Sequence, residues 1–309
     1  MLKLSTAALL VSLISTAHSS AADGVVCFAR QADRLEIKVD DVAMATYVFR
    51  DDKILRPYFA HLRAPNGFQV TRNHPPVAGV DAADHDTMHP GLWLAFGDLS
   101  GGDFWRNKAK VEHVEFVSEP RVDGNNGTFT VRNRYIRGDN TICDELCRVA
   151  VFARASGYWI VLDSRFSGSD DFYFGDQEEM GLGVRVATPL TVKNGGALLN
   201  SDALRGEKQV WGRQADWCDY GGKIDGQPVG VTLIPDPANF RRSWFHARDY
   251  GFVAANPFGR QAFTKGEKSQ LIVRSGESLR LRFAVRVHLA AGDLPSAYSE
   301  ALTLFARDR

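Results

Sequence analysis

The sequence predicts an all-β protein, a large β-sandwich or two-sheet supersandwich with few short helices. Short segments rich in Val, Ile, Phe, Tyr and Trp recur along the chain, separated by Gly, Asn and Asp. Only residues 294–306 carry apolar side chains at helical spacing. Of the 309 residues, 44% are hydrophobic, enough for a sizeable core. No Pro- or Ser-rich linker divides residues 22–309, which are therefore expected to form a single domain.

Taken in order, residues 1–21 read as an export signal, with Lys3 ahead of an apolar run from Ala7 to Ile14 and small residues through Ala21. That run is too short to span a bilayer, and no later segment is apolar for long enough to anchor the chain. The mature protein is therefore expected in the periplasm or secreted. Residues 24–29, 34–39 and 43–49 form an opening meander. Four further strands follow at 111–117, 127–135, 147–153 and 158–166, joined by turns at 125–127, 138–140 and 155–157. Strands at 229–234, 270–274 and 279–288 continue the pattern. Residues 56–104 show little regular pattern and read as a long structured loop, the kind that is usually functional in a compact domain.

Charge narrows the partners. The 37 basic and 37 acidic residues balance, so no cationic surplus asks for nucleic acid or anionic lipid. Cys27, Cys143, Cys147 and Cys218 lie in a chain bound for an oxidising compartment, and their pairing stays open. On one strand, Cys143 and Cys147 would stand about 13 Å apart, beyond disulfide reach. Buried free thiols are the alternative.

Chemistry concentrates in three stretches. Residues 84–106 place Asp84, His85, Asp86, His89, Trp93, Asp103 and Trp105 among glycines. Residues 211–220 and 244–251 repeat the mixture of tryptophan, arginine and carboxylate, and a site would require the three to meet. His85 and His89 have the spacing of a zinc pair, but that motif needs a helix and Glu after the first His. Pro90 pushes His89 away from the α region. Extended, the two rings would lie about 13 Å apart, so only a tight turn would let them share a metal. No phosphate loop, dinucleotide fingerprint or serine elbow occurs.

These motifs resemble the PmoA-like family of bacterial proteins, often labelled methane oxygenase PmoA. The resemblance rests on Arg56-Pro57-Tyr58-Phe59, on Asp84-His85 through His89-Pro90-Gly91-Leu92-Trp93, on Gly183-Val184-Arg185-Val186-Ala187, and on His246 through Asn256-Pro257-Phe258-Gly259. Where the family reads Asp-His-Pro-His-His-Arg-Gly, this chain lacks one histidine and the arginine. Methane oxidation is not carried over, because the monooxygenase subunit of that name is an integral membrane protein. The resemblance implies a galactose-mutarotase type of supersandwich, in which paired histidines and a carboxylate do acid–base work on a sugar ring.

The expectation is an exported protein acting on a small-molecule carbohydrate or glycan, by epimerisation, isomerisation or elimination without a cofactor. Histidine titrates near neutral pH and suits proton transfer. His89 is the expected acid, His246 the polarising group and Glu179, beside Glu178, the base. Arg72, Arg248 and Tyr250, with His61, His85 and Asp249, would position hydroxyls. Trp93, Trp105 and Trp211 would wall the pocket. Two rival readings stand: a non-catalytic periplasmic glycan-binding protein, and a metal-dependent hydrolase or oxygenase with a divalent metal on His85 and His89. For each residue the plain structural role stays open, from loop-bonded histidines to an Arg–Asp pair at a sheet end and core tryptophans.

Overall fold

The computed structural model describes residues 24–290 and 292–307. The export signal expected over residues 1–21 lies outside them. Two antiparallel sheets face each other. One has nine strands in the order Val26–Arg30, Arg34–Val39, Val42–Val48, Tyr58–Ala60, Leu92–Phe96, Met180–Arg185, Phe252–Asn256, Trp244–Arg248 and Arg213–Gln214. The other has eight, in the order Ala197–Asn200, Cys218–Ile224, Gln227–Pro235, Leu279–His288, Gly157–Ser167, Asn140–Arg154, Asn126–Arg137 and Lys110–Asp123. This is the all-β sandwich that the strand pattern predicts.

Period-two alternation builds the sandwich, because successive side chains on a strand point to opposite faces. Along Asn126–Arg137 burial alternates residue by residue, sending Phe129, Val131 and Tyr135 inward. Between the sheets aromatic rings meet edge to face, with Phe96 lying 5.4 Å from Phe166 and 4.8 Å from Phe174. Cys143 and Cys147 share a strand, both buried, and all four cysteines are unbridged.

The helix Leu294–Arg307 covers the outer face of the eight-stranded sheet. Its buried residues Leu294, Ala297, Ala301, Leu304 and Phe305 recur at helical spacing and pack on Trp159, Val161, Trp217 and Ile234. Buried Arg282 donates to the Phe305 carbonyl at 2.6 Å, satisfying one of the acceptors that a helix end leaves free.

Expectation and structure agree residue for residue at Arg34–Val39 and Leu279–His288, and differ elsewhere for identifiable reasons. The strands expected at 111–117 and 147–153 extend to Lys110–Asp123 and Asn140–Arg154, because ladder pairing continues through polar residues that apolar patterning excludes. The stretch 56–104 is not all loop: Tyr58–Ala60 and Leu92–Phe96 are interior strands of the nine-stranded sheet. The clusters at 211–220 and 244–251 likewise contain strands. Leu92–Phe96 is buried or half-buried on both faces, so it shows an apolar run instead of alternation.

Candidate functional site

The outer face of the nine-stranded sheet gathers most of the residues singled out above. Leu92, Met180, Leu182, Val184, Val253 and Phe245 fill the inter-sheet core. Parity then turns Trp93, Gly183, Arg185, Phe252, Ala254, His246 and Arg248 outward. Cross-strand register aligns Trp93, Gly183, Ala254 and His246 in one row, and Arg185, Phe252 and Arg248 in the next. Gly183 allows the indoles to settle on the sheet: a Cβ there would lie 2.8 Å from Trp93 Cζ2 and 2.9 Å from Trp105 Cη2.

A tight turn lies over this surface. The His89 amide donates to the His85 carbonyl at 2.8 Å, and His85 adopts a positive φ of 50°. The rings of His85 and His89 are therefore stacked at 4.8 Å instead of standing apart as an extended segment would hold them. Stacked rings keep their in-plane lone pairs in two nearly parallel, separate planes, which do not converge on a shared ion. Among the described residues no group of three or more His, Cys, Asp or Glu is placed to hold a metal. The stack continues on both sides. Tyr250 lies 6.1 Å from His85, while Phe252 and Trp93 lie 4.6 and 4.9 Å from His89, all within 19° of parallel.

Two arginines fix the turn. Arg72, only 1% exposed, donates to the carbonyls of Ala82 (2.9 Å), Asp84 (2.6 Å), His85 (3.2 Å) and His89 (3.2 Å). Its guanidinium holds the backbone and is not free for a substrate, contrary to its expected role. Buried Arg185 grips both oxygens of Asp84 at 2.9 Å and lies 4.4 Å over the Tyr250 ring. Asp84 in turn is 2.9 Å from His85 Nδ1. Partial burial pushes the Asp84 carboxyl up, but the hydrogen bonds from Arg185 and His85 outweigh it and hold the group well below its ordinary pKa.

The polar part of the site lies beyond Phe252, whose ring has His89 on its face and His246 at its edge, 5.0 Å away. His246 Nδ1 lies 3.3 Å from the Glu178 carbonyl, so Nδ1 carries the proton and Nε2 a lone pair. Nε2 is buried without a hydrogen-bond partner, and a Glu178 carboxylate oxygen lies 3.6 Å from it. The same oxygen is 3.6 Å from Arg248, which also approaches Glu207 at 3.5 Å and lies 5.9 Å over the Trp211 ring. Burial, then the nearby Arg248 charge, lowers the His246 pKa to about 3. Burial also drives His89 well below its ordinary value, helped by His85 and the surrounding arginines. Both imidazoles are therefore neutral at pH 7.

The structure thus brings together His85, His89, Trp93 and Tyr250 in one stack with Phe252, Trp105 meeting it edge-on and His246, Arg248 and Trp211 adjoining it. Several expected residues do not take the roles foreseen for them. Trp93 and Trp105, 1% and 0% exposed, lie beneath the site and cannot present their faces to a ligand. Glu179 is ion-paired with Arg106, which also binds Asp103. Asp249 caps the short helix Gly206–Val210, its Oδ1 accepting from the Glu207 amide at 2.8 Å. His61 lies in a separate groove, where its Nε2 donates to the His74 carbonyl at 3.0 Å. Arg106, Arg185 and Phe252 were not expected at the site, and Glu178 was passed over for its neighbour. Strand parity alone would have found Arg185 and Phe252. Glu178 precedes the strand, where parity no longer applies.

Fold and site together define an all-β two-sheet sandwich with a histidine- and arginine-rich outer patch. The chain belongs to the family of unknown function DUF6807, whose model matches residues 34–302. No curated protein matches it. Among solved structures it is similar to a galactose mutarotase-like protein from Clostridium acetobutylicum, at 9% identity and TM-score 0.47, covering 86% of this chain and 98% of that one. A galactose mutarotase-like protein from Lactobacillus casei matches at 10% identity and TM-score 0.40, covering 85% and 100%. A GH36 alpha-galactosidase from Geobacillus stearothermophilus matches at 12% identity and TM-score 0.46, covering 86% of this chain and 41% of that one. The chain thus spans about two fifths of the galactosidase's length. At these identities and scores the likeness carries no chemistry over to this chain.

Proposed function

We propose that this chain is an exported carbohydrate-active protein whose outer patch performs acid–base chemistry, without a metal, on a sugar or sugar derivative. Epimerisation, isomerisation or elimination fits this chemistry. One observation carries the reading. His246 Nε2 and the Glu178 carboxylate are both acceptors, 3.6 Å apart, with Arg248 beside them and no donor between. Such a pair is incomplete until a hydroxyl supplies the missing hydrogen. A sugar hydroxyl, or a proton taken from the adjacent carbon, satisfies it. His246, held neutral, is then the proton acceptor in place of Glu179, Glu178 orients the hydroxyl, and the exposed edge of the Tyr250–His85 stack offers an apolar surface to the ring.

The non-catalytic glycan-binding reading is favoured by a different observation: with both imidazoles neutral, neither stands ready as an acid. One experiment separates the two. A panel of reducing hexoses and uronic acids is incubated with the protein in deuterated buffer. Solvent exchange at sugar carbons is followed by NMR, with affinity measured in parallel. Exchange should occur, and H246Q should lower its rate by about 10²- to 10⁴-fold while weakening binding far less. Binding without exchange for any sugar would establish the binding-protein reading instead.

A further inference from the structure

On the other side of the Asp84–His89 turn the same outer sheet face continues over Val42–Val48 and Tyr58–Ala60. There it opens into a groove of about 570 Å³, within the range of about 300–1,000 Å³ typical of small-molecule sites. Val48, Ile54 and Ala60 give it apolar surface, and Tyr58, His61 and His74 give it polar groups. Tyr58 donates to Asp51 Oδ2 at 2.7 Å, and its ring meets the His74 ring edge-on at 5.3 Å. His74 Nδ1 is buried and has no hydrogen-bond partner. The groove's four aspartates outnumber Arg34, Arg50 and Lys53 by one, so its charge is close to balance and nothing in it draws an anion. Apolar surface, unspent hydrogen-bonding capacity and only a single surplus negative charge together suit a neutral polyhydroxylated ligand.

The turn that divides this groove from the patch is shared by both. Asp86 and Thr87 line the groove, while His85 and His89 stack towards the patch. The ridge is also firm: Asn107 donates to the Thr87 carbonyl at 2.9 Å and Arg56 to the Met88 carbonyl at 2.5 Å. We propose that the groove is a second subsite for the same neutral sugar chain, so that the ligand is an oligosaccharide crossing the turn, with one unit at His246 and another at His74. This rests on the sugar reading of the His246 patch. Linking two weak contacts through one chain raises affinity without any new contact at either place.

The test is calorimetric titration of the full chain with neutral hexose oligomers of one to four units, in α- and β-linkage. The tetramer should bind at least about tenfold more tightly than the monomer. Thr46 lines the groove, and T46W should bring that ratio to within about twofold of unity by filling it. Asp86 is exposed, its carboxylate accepting only locally from the Thr87 amide at 2.7 Å; D86A should lower the ratio by about threefold through loss of a hydrogen bond to the sugar. Monosaccharide binding with no gain on lengthening would overturn the groove alone. A gain untouched by both variants would put the extra unit elsewhere and overturn it too. No binding at any length would overturn the sugar reading of both places.

Discussion

Each sheet turns one face away from the core, and both outer faces bury tryptophan, yet they are finished differently. On the eight-stranded sheet Trp159 and Trp217 are sealed by the helix Leu294–Arg307, side chain against apolar side chain. On the nine-stranded sheet Trp93 and Trp105 are sealed by the Asp84–His89 turn and by Phe252. Under the turn Trp93 Nε1, Trp105 Nε1, His89 Nδ1 and His246 Nε2 are all buried without partners; under the helix neither indole nitrogen is left so. Unspent polar groups lower stability. The helix-covered face is finished for stability, whereas the turn-covered face keeps unspent hydrogen-bonding capacity.

The largest effect expected from this contrast lies under the helix. W159A should cost about 3–5 kcal/mol by opening a cavity, read as a fall in the denaturant midpoint with little change in slope. A loss below about 1 kcal/mol would break the comparison, since the face would then not be a packed core. Next comes R185A, which strips Asp84 of its bidentate partner. Because Asp84 is partly exposed, the cost should be about 2 kcal/mol. The His85 ring resonances should move at the same time, since the turn loses its clamp. Ring shifts without destabilisation would make Arg185 a ligand-facing group instead of a strut.

The smallest effect is in the pH profile, where the pH window separates the two kinds of group. His246 and His89 have folded pKa values below the unfolded value of 6.5. Their contribution is fully present above pH 6.5 and is lost as the pH falls from there towards about 3, where His246 titrates in the folded protein. Asp84, also depressed, contributes above its unfolded value of 3.8 and loses that contribution only below it. Equilibrium unfolding between pH 7 and 5 should therefore show a decline that becomes shallower in the double variant H89Q/H246Q, the remainder coming from His61, His74 and His113, whose pKa values burial also lowers. A decline that the double variant leaves unchanged would come wholly from those other groups.

The fold was largely legible because alternation and turn residues mark the hairpins of the eight-stranded sheet directly. Asn126–Arg137 shows one polar face and one buried face, so its pattern is unmistakable. The nine-stranded sheet was harder to read where it matters most. Leu92–Phe96 and Phe252–Asn256 are covered on both sides, and covering removes the alternation. At the site, residue types were legible and their offices were not. His85 and His89 were recognisable as a pair, but the turn that stacks them depends on Arg72 reaching back from elsewhere in the chain. Glu178 and Glu179 are adjacent and chemically identical. Only the position of Arg106 decides which carboxylate is neutralised and which faces His246.

Arg72 holds the turn through carbonyl oxygens, and every amino acid has one. The side chains at positions 82, 85 and 89 can therefore be exchanged without withdrawing any of the acceptors that give the turn its shape, Asp84 alone being held through its carboxylate as well. Shape and chemistry are inherited separately here: a related protein that keeps the arginine can change what it presents to a ligand while presenting it in the same place.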